Sequence, residues 1–232
     1  SGAFFNDGLK RAGLKGSAWP VRAGLALRNA LLRRADAFVA ISGELEAELV
    51  RGGVPEAKIV RIPNGVDEAV FRPARPEEKA DRRAALGIAK ESLLVVYTGR
   101  LVTYKGLPGL LRVWERVAAD VPEARLALVG GGGNDMANCE AELRAFCDAR
   151  RLGDRVLFTG DVGQVAPWLQ AADVFAFPTQ NEAFGISLIE AMACGLPAVS
   201  TDVGGVKDIV EDGVNSLVVP AEDEAALEAA LR

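Results

Sequence analysis

The sequence predicts an α/β fold in which helices cover both faces of a parallel sheet. From residue 93 onward, short apolar runs of strand length alternate with longer segments that have helical periodicity. Gly or Pro stands at many of the boundaries between these segments. Strand, helix and strand repeated in this way require right-handed crossovers, which set parallel strands side by side. With 232 residues, half of them apolar, the chain can bury a sizeable core.

The first seventy residues predict a smaller group of elements. Residues 1–17 carry four glycines and little periodicity, so we expect a weakly structured lead-in. Spaced leucines predict a helix from about Pro20 to Arg34. A second helix is predicted from Gly43 to about Arg51, because Ser42 can cap its first turn. The predicted strands of this region are Ala37–Ile41 and Lys58–Ile62.

Residues 71–90 are polar and interrupted by proline, and we interpret them as a connector with a short helix from Arg82 to Leu86. The regular alternation begins after this connector. Its predicted strands are Leu93–Thr98, Ala124–Val129, Val156–Thr159, Val174–Phe177, Ala198–Ser200 and Ser216–Val219. Its predicted helices are Gly109–Ala118, Ala137–Ala149, Val165–Ala171, Phe184–Ala193 and Ala225–Leu231.

Composition and charge argue against several classes of function. The net charge of -5 opposes a nucleic-acid partner. The three cysteines are widely spaced and the chain has no histidine, which argues against a metal site with thiolate and imidazole ligands and against a disulfide framework. Without histidine the chain cannot form a Ser-His-Asp or Cys-His catalytic group by itself. No apolar run reaches transmembrane length, and we expect a cytoplasmic protein.

Ligands of such sheets bind beyond the carboxyl ends of the strands, so residues that follow the predicted strands are the candidates for a site. Gly99, Arg100 and Lys105 follow the first strand of the alternation, where Arg and Lys suit a pair of phosphates; two solvated loop cations are the alternative. The glycines at 130–133, which include Gly131 and Gly132, let the backbone approach a ligand, although a tight turn explains them equally well. Val162, after the third strand, could lie beside a flat base or in an ordinary loop.

The stretch from residue 178 to residue 199 carries the most informative acid. Glu190 is the only charged residue between Ala183 and Thr201, on a helix that is otherwise apolar and therefore buried. A carboxylate there is costly to desolvate unless something hydrogen-bonds it, and the hydroxyls of a ligand could do so; a helix-surface acid is the alternative. The N–H groups around Phe184, Gly185, Ile186 and Ser187 would bind an anion between Glu182 and Glu190. A nucleotide-diphosphate-sugar has that layout.

Together these residues resemble the donor half of a GT-B glycosyltransferase, in the large retaining family called glycosyltransferase family 4. The resemblance covers about Ala37 to Arg232. The motifs that carry it are IPNGVD at 62–67, Gly99-Arg100 with Lys105-Gly106, the glycine loop, E-x7-E at Glu182 and Glu190 with AMACGLP, and TDVGG at 201–205. It implies a Rossmann-like donor domain at residues 73–232, the C-terminal half of a GT-B fold, preceded at residues 1–72 by a remnant of the acceptor domain and a linker.

The resemblance also implies a role for each site residue. Arg100 and Lys105 would hold the diphosphate and neutralise the leaving group, Glu182 would contact the transferred sugar, and Glu190 would bind the ribose hydroxyls. Further donor contacts would come from Gly99, Gly131, Gly132, Val162, Phe184, Gly185, Ile186 and Ser187. The family retains the anomeric configuration of the donor without a bound metal, and no cofactor is implied besides the nucleotide-sugar substrate.

Three departures from the family pattern matter. Ala183 stands where glycine is common. Lys207-Asp208 replaces a frequent Pro-Glu, so neither Lys207 nor Asp208 receives a role. The family also has an N-terminal acceptor domain of comparable size, so we expect this chain to be a fragment with little or no transfer activity alone. The acceptor, whether a saccharide, a lipid-linked group or a small molecule, and any peripheral membrane contact would belong to the missing half. The alternatives are a GT-B-type epimerase or phosphorylase and a non-catalytic nucleotide-sugar binding module.

Overall fold

A computed structural model of the chain describes residue 30 and residues 34–232. The predicted lead-in and, apart from its residues 30 and 34, the predicted helix from Pro20 to Arg34 lie outside the described residues. Contacts divide the chain into two units. The first unit comprises Ser1–Asn64, Glu182–Phe184 and Gly204–Asp208; the second comprises Gly65–Asn181, Gly185–Val203 and Ile209–Arg232.

The described part of the first unit contains a small parallel pair of strands. Strand β1 (Phe38–Ala40) pairs with β2 (Ile59–Arg61), and helix α1 (Gly43–Arg51) connects them. Each strand is one residue shorter at both ends than predicted, whereas α1 has the predicted bounds. The Ser42 hydroxyl accepts from the backbone N–H of Leu45 at 3.3 Å, which is the predicted cap. A small apolar core holds the pair together: Phe38, Ala40, Leu49, Val54 and Ile59.

The second unit is built on a six-stranded sheet whose neighbouring strands are all parallel, as predicted. Its strands are β3 (Leu93–Thr98), β4 (Ala124–Val129), β5 (Val156–Gly160), β6 (Val174–Phe177), β7 (Ala198–Thr201) and β8 (Leu217–Val219). Their spatial order is β5-β4-β3-β6-β7-β8. Strands of this sheet are nearly continuous apolar runs because both faces are covered.

The helices of the second unit form two layers. They are α2 (Pro76–Ala85), α3 (Leu107–Asp120), α4 (Glu140–Ala149), α5 (Ala166–Ala171), α6 (Ile186–Ala193) and α7 (Glu224–Leu231). Helix α3 packs against α4 and α7, whereas α5 packs against α2 and α6. Right-handed crossovers that run in opposite directions from the middle of the sheet put these two groups on opposite faces. No helix in the described part of the chain is long and apolar enough to cross a membrane.

The strand order reverses at the middle of the sheet. From β3 the chain moves outward through β4 to β5, and it then returns to form β6 on the other side of β3. Crossovers leave β3 and β6 in opposite directions, which is the arrangement that opens a crevice at the carboxyl ends of a parallel sheet. In sheets of this kind the ligand binds at such a reversal. The fold therefore selects the segments after β3 and β6 for closer attention.

The short helix predicted from Arg82 to Leu86 within residues 71–90 is wrong in extent, because a longer helix docks there. Helix α2 covers ten residues instead of the five predicted, and polar contacts attach it to the sheet. The guanidinium of Arg83 is buried, and its Nη2 donates to the carboxylate of Asp173 at 2.5 Å. Lys79 donates to the same carboxylate at 2.7 Å, and so does the Leu94 backbone N–H. Periodicity underestimates this helix because it docks through charges.

Three helices of the second unit begin later than predicted, and α5 does so by one residue, at Ala166. Helix α4 starts at Glu140 because the side chains of Asp135 and Asn138 accept backbone N–H groups of Ala137 and Glu140, each at 2.9 Å, and hold residues 135–139 in turns. Helix α6 starts at Ile186, two residues after the predicted Phe184, since Gly185 has a φ of 116° and is not helical.

Replacing Asp173 with Asn should destabilise the protein, because it breaks the charge network that attaches α2. Burial acts to raise the pKa of Asp173, but hydrogen bonds from Lys79 and Leu94 together with the charges of Lys79 and Arg83 hold it below its usual range. A lowered folded-state pKa contributes stability above the unfolded value near 3.9 and loses it as the pH falls through the folded value. The loss at pH 7 should be about 2 kcal/mol, which is less than for a fully buried pair.

Urea unfolding at pH 7 and at pH 3 measures this difference. The difference in unfolding free energy between the wild type and D173N should be smaller at pH 3 than at pH 7. D81N removes the same charge from an exposed position of α2 and serves as the matched control. Equal unfolding free energies for D173N and the wild type at pH 7 would contradict the prediction.

Candidate functional site

The segments that follow β3 and β6 are held directly against each other. The backbone N–H of Gln180 donates to the carbonyl oxygen of Tyr104 at 2.9 Å. Gly106 has a φ of 74°, and a Cβ atom there would overlap the carbonyl oxygen of Pro178. Only glycine combines that backbone conformation with so close an approach. The turn that carries Tyr104 and Lys105 is thereby fixed at the crevice.

Arg100 is positioned through its backbone and its side chain. The hydroxyl of the fully buried Tyr97 donates to the carbonyl oxygen of Arg100 at 2.9 Å. Gly99, with a φ of 142°, lies over the Tyr97 ring, where a Cβ atom would come within 3.0 Å of the hydroxyl oxygen. The guanidinium of Arg100 is exposed, donates to the hydroxyl of Tyr104 at 2.7 Å and also donates to the carboxylate of Asp135.

Lys105 lies on the same side of the crevice and is half-buried. Its Nζ lies 5.9 Å from the ring centroid of Tyr104 and 5.8 Å from that of Phe177, the last residue of β6. The guanidinium of Arg100 lies 5.8 Å from the Tyr104 ring. Both cations therefore contact one aromatic side chain. Burial, the largest influence, and the neighbouring Asp135 raise the pKa of Tyr104 although Arg100 acts to lower it.

The glycines of the loop after β4 are needed mainly for close packing, both within the loop and against the segment after β3. A Cβ atom at Gly130 would overlap the carbonyl oxygen of Gly99, and one at Gly132 would overlap the side chain of Asn138. The N–H of Gly132 donates to Glu140 at 3.0 Å, and hydrogen bonds from Arg144 and from this N–H lower the pKa of Glu140. Because the Gly132 N–H already donates to Glu140, it is not available to donate a hydrogen bond to a ligand.

The other two predicted positions of this region lie on the same carboxyl edge. Gly131 accepts from the backbone N–H of Leu101 at 3.0 Å, and Asp161 lies beside its Cα. Val162 is half-buried in the segment after β5, two strands away from β3 in the sheet. Strands are about 4.8 Å apart, so Val162 is about 10 Å along the edge from the segment that carries Arg100.

The N-terminus of α6 is open to an anion. Gly185 is its N-cap, and no side chain caps the helix. Within the described part of the chain, the N–H groups of Ile186 and Ser187 meet no acceptor. Unpaired N–H groups and the helix dipole favour negative charge at this end. A Cβ atom at Gly185 would contact the ring of Phe177 at 3.7 Å, so Phe177 lies next to both Lys105 and this helix end.

Glu190 is a half-buried acid near the middle of α6. No side-chain or backbone donor among the described residues bonds its carboxylate. Burial raises the pKa of Glu190, which is the behaviour of a desolvated carboxyl group without compensating bonds. One turn later the buried Cys194 has a pKa raised to about 11 by burial and by the charge of Glu190. That the hydroxyls of a ligand hydrogen-bond this carboxylate stays a prediction.

Glu182 and Phe184 belong to the first unit, where two glycines fix their segment. The backbone N–H of Gly205 donates to the carbonyl oxygen of Glu182 at 3.1 Å. Cβ atoms at Gly204 and Gly205 would overlap the carbonyl oxygens of Glu182 and Ala183. A carboxylate oxygen of Glu182 accepts from the N–H of Ala183 at 3.0 Å, and Phe184 is buried. The glycines at 204–205 therefore have a structural role, because they let the segment of Glu182 and Ala183 pack against their backbone.

Sequence reasoning missed two residues of the site, Tyr104 and Asp135. Tyr104 joins the two predicted cations, and Asp135 binds the guanidinium of Arg100 from the glycine loop. Asp135 is 35 residues away from Arg100, and no local pattern links the two. The available signal was the presence of an acid in a loop that follows the strand next to β3. Among the described residues, no group of three or more His, Cys, Asp or Glu side chains could hold a metal ion.

Comparison with protein families gives two matches. Residues 92–232, more than half of the chain, match the family described as "Glycosyl transferases group 1". Residues 10–70 match the family described as "Glycosyltransferase Family 4".

Individual relatives agree with these matches. The D-inositol 3-phosphate glycosyltransferase of Xylanimonas cellulosilytica is 36% identical over 197 residues, which are 82% of this chain and 46% of the relative. The lipopolysaccharide core biosynthesis mannosyltransferase LpsB of Rhizobium meliloti is 32% identical over 199 residues, which are 85% of this chain and 54% of the relative. The chain therefore spans about half the length of these relatives.

Solved structures share the fold. Anabaena HepE in complex with UDP and glucose superposes with a TM-score of 0.81 at 26% identity, covering 90% of this chain and 56% of that protein. The sucrose-phosphate synthase of Thermosynechococcus elongatus superposes with a TM-score of 0.76 at 31% identity, covering 94% of this chain and 53% of that protein.

Replacing Glu190 with Gln should stabilise the ligand-free protein at pH 7, because a neutral amide is less costly to desolvate than a carboxylate. The folded-state pKa of Glu190 lies above its unfolded value. The contribution of Glu190 to the stability of the wild type is therefore most favourable below about pH 4.3 and is lost as the pH rises through the folded-state pKa of Glu190. The thermal midpoint of E190Q should exceed that of the wild type at pH 7 and match it near pH 4. E142Q, on the exposed face of α4, is the control; a lower midpoint for E190Q at pH 7 would contradict the prediction.

Proposed function

The chain belongs to the group 1 glycosyl transferases, and we propose that it is the donor-binding half of a glycosyltransferase that uses a nucleotide-diphosphate-sugar. One observation carries this proposal. Lys105 and the open N-terminus of α6 both adjoin the ring of Phe177, at the reversal of the strand order. Two independent sources of positive potential thus meet at one point of a crevice. A diphosphate is the group of a nucleotide-sugar that suits such a point.

The reaction makes this arrangement useful. In the transfer, the bond between the anomeric carbon and the diphosphate oxygen breaks, and a hydroxyl oxygen of the acceptor forms a bond to that carbon. The hydroxyl proton passes to the leaving diphosphate or to water. Negative charge then collects on the leaving nucleoside diphosphate. Arg100, Lys105 and the N–H groups of Ile186 and Ser187 would stabilise that charge without a metal ion. No cofactor takes part besides the donor itself.

The remaining donor contacts follow from positions along the carboxyl edge. We assign the ribose hydroxyls to Glu190, whose carboxylate lacks a donor among the described residues. We assign the base to the side of Gly131 and Val162, on the segments after β4 and β5, and the phosphates to the side of Gly99 and Gly185. For Glu182 and Phe184 the support is the family motif: we propose that Glu182 contacts the transferred sugar and that Phe184 belongs to the phosphate segment.

The comparisons support a nucleotide-sugar donor without selecting an acceptor. The Anabaena structure is a complex with UDP and glucose. Relatives of similar identity are named for different reactions, an inositol phosphate glycosyltransferase and a mannosyltransferase of lipopolysaccharide core synthesis. We therefore assign the donor class and leave the acceptor open.

For the complete protein we propose transfer with retention of the anomeric configuration, in the cytoplasm. Both follow the family resemblance. The anomeric configuration of the product, read by NMR once an acceptor is known, tests the first, and cell fractionation tests the second. This chain alone should transfer little or no sugar, because the second wall of the cleft belongs to the other half of the protein.

Binding of a nucleoside diphosphate is the direct test of the donor site. Titration calorimetry of the chain with UDP and with GDP should show binding to at least one, with a Kd roughly in the micromolar to millimolar range. The affinity should be the same within about two-fold in EDTA and in Mg²⁺, because cationic side chains and the helix terminus act on the diphosphate. Uridine or guanosine alone should bind at least about ten-fold more weakly. Absence of heat with both nucleotides would refute the proposal.

Glu190 should contribute to nucleoside binding and not to diphosphate binding. E190Q should weaken binding of the nucleoside diphosphate about ten-fold, since a charge-assisted hydrogen bond to a hydroxyl is lost. Affinity for inorganic pyrophosphate should change by less than about two-fold. Equal losses for both ligands, measured by the same calorimetry, would mean that the ribose assignment is wrong.

A further inference from the structure

The position of the Arg100 guanidinium requires an explanation. Its side chain is 59% exposed and long, so without contacts it would sample many rotamers. In the structure it is held by two groups at once: Nη1 donates to Asp135 and Nη2 donates to the Tyr104 hydroxyl at 2.7 Å. The Tyr104 hydroxyl in turn donates to the same oxygen of Asp135 at 3.3 Å. Three side chains thereby form a closed ring of hydrogen bonds.

Asp135 is itself rigidly attached. Its second carboxylate oxygen accepts from the backbone N–H of Ala137 at 2.9 Å. Its loop is joined to the segment after β3, because the N–H of Thr103 donates to the carbonyl oxygen of Ala137 and the N–H of Cys139 donates to that of Leu101. The acid that binds Arg100 is therefore carried by a loop that is hydrogen-bonded to Arg100's own segment.

The ring of hydrogen bonds leaves Arg100 able to bind a ligand. A guanidinium has five N–H donors, and Asp135 and Tyr104 each take one. The others meet no acceptor in the described part of the chain. One edge of the guanidinium is thus anchored while donors remain for phosphate oxygens. The Tyr104 ring also contacts Lys105, so the same tyrosine orients both cations.

We propose that Asp135 and Tyr104 are positioning residues that hold the guanidinium of Arg100 in its diphosphate-binding orientation before the donor arrives. This inference rests on the proposed function and adds residues that the family motifs do not include. A carboxylate beside a phosphate site would by itself repel the ligand. Here that repulsion is offset because Asp135 already orders the side chain of Arg100. Binding of the diphosphate then costs no further rotamer entropy at Arg100.

The coupling between Asp135 and Arg100 is the quantity to measure, with UDP as the probe in titration calorimetry. D135N should raise the Kd for UDP about five-fold, because the amide can replace the acceptor of the Ala137 N–H but cannot hold the guanidinium in the same way. Y104F should raise it less, since the ring contacts remain. D154N removes the same charge near the amino end of β5 and should leave the Kd unchanged within two-fold.

A double-mutant cycle separates positioning from a direct effect. In the R100A background, D135N should leave the Kd for UDP unchanged or lower it, because only the repulsive carboxylate is then removed. The same fold-loss for D135N in both backgrounds would overturn the proposal, since Asp135 would then act independently of Arg100. Tighter UDP binding by D135N alone would also overturn it, because Asp135 would then compete with the diphosphate.

The outcome for the proposed function is read separately. If the wild type binds neither UDP nor GDP, the donor site itself is refuted. If the wild type binds UDP and D135N binds it equally well, only the positioning role is refuted. Circular dichroism of each variant at the titration temperature must match that of the wild type, so that a change in Kd does not reflect unfolding.

Discussion

The close contact between the turn after β3 and the chain leaving β6 is the constraint on which the site depends. It is possible only because Gly106 has no side chain and adopts a positive φ beside Pro178. The contact holds Tyr104 and Lys105 at the point where the strand order reverses. Since Phe177 also adjoins the N-terminus of α6, one hydrophobic ring separates a lysine from the positive end of a helix. Backbone geometry thus concentrates positive potential before any ligand is present.

Two half-buried acids of the second unit, Asp173 and Glu190, differ in their hydrogen bonding. Asp173 is bonded by Lys79, Arg83 and a backbone N–H, and its pKa lies below the usual range. Glu190 is about as desolvated, but it has no bonded donor among the described residues and its pKa is raised. The first acid stabilises the fold, whereas the second is costly to it. If Glu190 binds a ligand as proposed, this cost is the expected conflict between stability and activity at a binding site.

The sequence was most informative about candidate site residues where a residue type at a given position has few structural explanations. An acid in an otherwise apolar helix selected Glu190 as a candidate, and cations after a strand selected Arg100 and Lys105; the roles of all three stay predictions. It failed where a contact joins distant segments or where polar residues dock an element. Asp135 was missed because its contact with Arg100 crosses from one loop to another. Helix α2 was underestimated because Arg83 is buried through hydrogen bonds, which hydrophobic periodicity does not register.

The amino-acid sequence was enough to assign which segments are strands and, for three of them, where they begin and end. Strands buried on both faces must be continuous apolar runs, so β3, β4 and β6 have the bounds that those runs predict. The folded structure alone set the strand order β5-β4-β3-β6-β7-β8 and, with it, which segments follow the two strands at the reversal. It also decided that Tyr104 and Asp135 surround Arg100. The reason is that strand pairing and contacts between loops join residues far apart in the chain, whereas periodicity and capping report only on near neighbours.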